Sequence, residues 1–120
     1  MSEHLNRLHA ARDHYPFARW ASSIPDLYTE SVCAAFAGVF DRLIARLIAL
    51  GPAASEEAKL RAFHDAVRAL NELNQQDLGL IETGEREDLC ELCNVMAKAA
   101  GLDPAKYGNG DGPADEWREW

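Results

Sequence analysis

The chain has 120 residues, the length of one domain, with 48% apolar and 27% charged residues and a net charge of −8. That balance disfavours non-specific binding to nucleic acid or anionic lipid, and no stretch reaches the roughly 18 apolar residues that a bilayer span requires. Twenty Ala and 14 Leu stand against 4 Val, 4 Ile and 2 Thr, a ratio that favours helix and leaves little for a sheet.

Residues 1–25 form an N-terminal segment. Leu5, Leu8 and Arg12 sit at helical spacing in a short first helix that Pro16 must end or kink. Asp13 to Trp20 reads as an aromatic-rich connection. Residues 26–50 carry the strongest signal: Val32, Phe36, Val39, Phe40, Leu43, Ile44, Leu47 and Ile48 make an apolar stripe about 160° wide at 100° per residue. A stripe that wide needs two neighbours, so this is the central helix, and Gly51-Pro52 stops it.

Ser55 is the expected N-cap of a second helix over 55–78, whose inner face carries Leu60, Phe63, Val67, Leu70 and Leu73, with Gly79 at the C-terminal glycine position. Leu80 and Ile81 are expected to tuck under the bundle. Thr83 is the expected cap of a third helix over 83–100, with Leu89, Leu92, Cys93, Met96 and Ala100 inward. In the tail, 103–120, Asp103-Pro104 starts one short turn, and Gly108 to Pro113 reads as a flexible turn region. The prediction is a single all-α domain: an antiparallel bundle of three main helices, a short N-terminal helix and an acidic Trp-containing tail.

Chemistry-bearing motifs are sparse. Cys90-Glu91-Leu92-Cys93 has the spacing of half a zinc site, but no second Cys or His pair completes it, and plain packing is the expected role. Three cysteines make no disulfide framework and fit a reducing, cytoplasmic setting; the first seven residues lack the basic start and apolar run of a secretory signal. His4, His9 and His14 are five apart and share no helical face; His64 is the fourth. The Gly108–Gly112 stretch fails as a calcium loop, because Tyr107 and Arg118 fall where the first and last ligands belong. No nucleophile motif is present, so the expectation is no enzyme, no cofactor and no metal.

Asn74 projects into the apolar face of the second helix, with Asn71 at its edge. A buried amide needs a partner, and the backbone of the Leu80–Thr83 connection is the expected one for Asn74. Charge is distributed unevenly. Residues 1–50 are neutral, 51–81 carry −2, and 82–120 carry −6. Glu87, Asp88 and Glu91 are placed together on the outer face of the third helix, at spacings that repel by a few tenths of a kcal/mol per pair. With Asp111, Asp115 and Glu116 they form either a solvated acidic face or a docking surface for a basic protein. Trp117 and Trp120 either pack back onto the bundle or serve as anchors for that partner.

The segment Leu80-Ile81-Glu82-Thr83-x-Glu85-Arg86-Glu87 and the ending Glu116-Trp117-Arg118-Glu119-Trp120 resemble those of small acidic bacterial proteins, in the style of immunity proteins of toxin systems. Nine Arg against three Lys, with so much Ala, also fits a GC-rich bacterial genome. The resemblance covers about residues 70–120 and implies neutralisation of a basic toxin by binding. A different class of reading is a small-molecule-binding or catalytic helical protein with a core pocket near Asn74 and His64. A third is a structural homodimer that buries an exposed stripe of the central helix.

Overall fold

The computed structural model describes residues 3–76 and 81–120. All regular structure among these is helical, with no strand among the described residues, as the composition predicts. In order there are α1 (Glu3–Ala10), a 3-10 turn (Ala11–His14), α2 (Phe17–Ser23), α3 (Glu30–Leu50), α4 (Glu56–Gln76), α5 (Thr83–Ala99), two 3-10 turns (Pro104–Lys106 and Gly108–Gly110) and α6 (Ala114–Trp117). The Gly79 stop, Leu80 and the last residues expected of the second helix lie outside the described residues. No described helix is long and apolar enough to cross a membrane.

The helix ends follow from local chemistry. α3 starts at Glu30, later than the expected Asp26, because residues 24–28 close a turn on the Ile24 carbonyl. Thr29 then caps the helix by accepting the Val32 N–H at 3.2 Å. Gly51, at φ 82°, closes it. Ser55 caps α4 as expected, accepting from the Ala58 N–H at 3.1 Å. The expected Thr83 cap is corrected: Glu82 is the extended residue before α5, while Thr83 is already helical and its hydroxyl faces Arg86. The Asp13–Trp20 connection is corrected too, since α2 begins inside it. Pro16 has no N–H to lose at a helix start, and Phe17 and Trp20, one turn apart, both bury.

The wide stripe of α3 packs against α4 and also against α1 and α2. α5 lies against α1, the Ala11–His14 turn and α6, while α6 also reaches α4. Leu8, Phe36, Phe40, Phe63, Val67, Leu70, Leu89 and Met96 are fully buried where these elements meet. Phe17 stands edge-on to Trp20 at 5.2 Å between centroids, and Trp20 edge-on to Phe36 at 5.5 Å. Beside this cluster Asp41 accepts from Tyr15 Oη at 2.8 Å and from Arg12 Nη2 at 2.8 Å. Burial opposes ionisation of Asp41, but the hydrogen bonds from Arg12 and Tyr15 outweigh it and hold the carboxyl below its ordinary value.

Three polar residues anchor the connections. Asn74 accepts the Ile81 N–H at 3.1 Å, the role expected of it, and Ile81 is buried. Asn71 is the more buried of the two asparagines, not an edge residue, because the C-terminal segment covers it. Lys59, buried between the α3–α4 loop and Gly101, donates from Nζ to the Pro52 carbonyl at 2.9 Å.

Candidate functional site

The C-terminal segment folds back as a strap, and this creates the site. Gly108 to Pro113 forms a turn, as expected, and part of it is buried: Gly108, Gly112 and Pro113 are covered, as is the following Ala114, while Asn109, Gly110 and Asp111 are exposed, and the glycines supply left-handed backbone. Gly112, at φ 111°, presses its Cα onto Asn94 of α5, where an added Cβ would lie 1.9 Å from Oδ1. Asn94 Nδ2 donates to the Asp111 carbonyl at 3.3 Å, which fixes the turn on the helix. Further along, Asn71 holds the strap like a strand neighbour. Its Nδ2 donates to the Trp117 carbonyl at 3.1 Å, and its Oδ1 accepts the Glu119 N–H at 3.0 Å. Trp117 meets the His64 ring edge-on at 5.2 Å, and Arg118 lies 5.7 Å from the centre of the Trp120 ring. Both tryptophans are packed against the core.

Between α5 and this strap runs a groove of about 320 Å³. On the helix wall stand Glu87, Cys90, Glu91 and Asn94, whose three- and four-residue spacing puts them on one face. Asp111 and Asp115 stand on the strap wall, and Arg86 and Arg118 complete the lining. Asp115 is paired with Arg118 at 2.7 Å. Glu87, Glu91 and Asp111 have no ion-pair partner among the described residues. The Cys90 thiol is pushed up by burial, against a smaller opposing pull from Arg118, so it stays protonated at neutral pH. Burial does the same to Cys93, which faces the core.

The predicted acidic set therefore divides. Glu87, Glu91, Asp111 and Asp115 converge on the groove. Asp88 does not belong to an open outer face: it accepts from Trp20 Nε1 at 2.8 Å and pairs with Arg19 at 3.1 Å. Its side chain is only 23% exposed, because α2 lies over it. Glu116 turns back to accept the Gly108 N–H at 2.7 Å and so holds the turn. Sequence reasoning misses Arg86, Asn94 and Arg118 as groove residues. The one available signal for Asn94 is its seven-residue spacing from Glu87 on the same helical face.

Among the described residues, Asn74 and His64 do not come together. Asn74 is engaged with Ile81, whereas His64 packs on Trp117 and contacts Asp65 about three turns away along α4. Among the described residues no group of three or more His, Cys, Asp and Glu side chains is placed to hold a metal ion. No protein-family model, curated protein or solved structure matches the chain.

Proposed function

We propose that this protein is a non-catalytic, cytoplasmic protein-binding module that uses the α5–strap groove to engage a basic protein, in the manner of an immunity protein that neutralises a toxin. Its three long helices act as an antiparallel bundle that carries this groove at one edge. The observation that carries the reading is the convergence of Glu87, Glu91 and Asp111, without ion-pair partners among the described residues, on facing walls of one groove. Carboxylates held together at a cost of a few tenths of a kcal/mol per pair are relieved by an incoming guanidinium or ammonium group. The surrounding excess of acid on residues 82–120 steers a basic partner toward the same place.

The test is the association rate of an oligo-arginine peptide with the native chain and with a Glu87→Gln, Glu91→Gln, Asp111→Asn variant, at low and physiological salt. Native association is expected to be faster, with the gap narrowing as the Debye length falls to about 8 Å. Equal rates in both proteins at both salt concentrations would reduce these carboxylates to a solubility role.

A further inference from the structure

We infer that the outer face of the α3–α4 hairpin is the interface of a two-fold homodimer, with α3 of one copy lying against α4 of the other. This surface is separate from the acidic groove, so a dimer would present two such grooves.

The face is built for close approach. Ala35 and Gly38 of α3 and Ala69 of α4 line its middle, and two adjoining depressions of about 260 and 300 Å³ run along it. Gly38 lies in the interior of a 21-residue helix, where glycine is unfavourable by roughly 1 kcal/mol relative to alanine. Its missing side chain leaves room for Arg42, whose Nη1 would lie 3.3 Å from a Cβ at that position. Arg42 therefore lies along the face beside Gly38 while staying exposed.

Charge decides the occupant. The α3 side of the face carries Arg42 and Arg46, and the α4 side carries Asp65 and Glu72. Arg46 and Asp65 pair within the chain. Arg42 and Glu72 are exposed and make no ion pair among the described residues, although they border the same depression; the Arg46–Asp65 pair sets residue 42 level with about residue 69, so Glu72 stands within one helical turn of Arg42 along the hairpin. A two-fold axis parallel to the helices lays α3 over the partner's α4 and preserves height, so each Arg42 comes within one helical turn of the other copy's Glu72, in reach of the two long side chains. A two-fold axis in the interface but across the helices lays α3 on α3, basic side on basic side, with no acid of α3 on this face to oppose Arg42 or Arg46. The charge pattern selects the first arrangement, which is self-complementary, as an isologous interface must be.

The area suffices. Two 21-residue helices are each about 30 Å long and, side by side, present about 600 Å² per copy, or about 1,200 Å² in total, above the roughly 1,000 Å² of a specific interface.

Sedimentation velocity of the full chain, at concentrations up to about 100 μM, is expected to show a monomer–dimer equilibrium. Arg42→Glu and Glu72→Arg are each expected to weaken it at least tenfold, with helix content unchanged by circular dichroism because both side chains are exposed. Mixing the two variants in equal amounts is expected to restore association. In the mixed dimer the introduced acid faces the introduced base at one contact, and the native Arg42 faces the native Glu72 at the other. A native chain that stays monomeric throughout, a dimer indifferent to both substitutions, or a mixture that fails to associate would overturn the inference.

Discussion

Replacing Asn71 with leucine removes the clasp that holds the strap while keeping the side chain's approximate volume. Two backbone groups of the strap lose their partners at once, the Trp117 carbonyl, bonded at 3.1 Å, and the Glu119 N–H, bonded at 3.0 Å, and the Glu119 carboxylate loses a bond of 3.3 Å. Leaving one buried polar group unpaired costs about 1–3 kcal/mol, and part of that is recovered here because residues 117–119 are only partly covered and the leucine adds apolar burial. A net loss of about 2 kcal/mol is expected, a shift of roughly 30-fold in the folded-to-unfolded ratio. Urea unfolding reads the stability, and amide exchange reads the place: Glu119 should exchange faster while the Ile81 amide, held by Asn74, keeps its protection. Asn74→Leu should give the opposite pattern. A loss below about 0.5 kcal/mol in Asn71→Leu, with Glu119 still protected, would refute the view that this amide docks the strap.

Other outcomes follow from the same contacts. Asp88→Leu strands the Trp20 indole N–H and frees Arg19, so it should cost about 1.5–2 kcal/mol in chemical denaturation; a cost near zero would return Asp88 to the open acidic face. Asp41 titrates lower in the folded chain than in the unfolded one, so its contribution is present above the unfolded carboxyl value of about 4 and is lost as pH falls through the lower folded value. Acid titration of stability should therefore be shallower below about pH 4 in Asp41→Asn than in the native chain, and identical slopes would contradict the assignment.

Legibility in the sequence tracks the range of the interactions. The α3 stripe, the Gly51 stop and the Ser55 cap are readable because periodicity and capping act within a few residues. α2 escapes a sequence reading because Pro16 serves equally as a breaker and as a helix start, and only the burial of Phe17 and Trp20 on α3 decides which. Asn74 is placed correctly through a partner seven residues away, whereas Asn71 is underrated because its partners lie 46 and 48 residues on. The excess of acid in the last third is plain from counting, but its division is not. Asp88 is taken out of the surface by Trp20, 68 residues earlier, and no local pattern encodes that contact. The glycines of the tail read as slack, although left-handed backbone is also what a tight, partly buried turn requires.

The central claim is that the groove between α5 and the strap is where a basic protein docks. Amide shift mapping by NMR, with an oligo-arginine peptide titrated into the native chain at physiological salt, tests it most directly. Perturbations should concentrate on residues 86–94 and 111–118 and vanish in the Glu87→Gln, Glu91→Gln, Asp111→Asn variant. Shifts spread evenly over exposed acids such as Glu57, Glu72 and Asp103, or unchanged in that variant, would contradict the account.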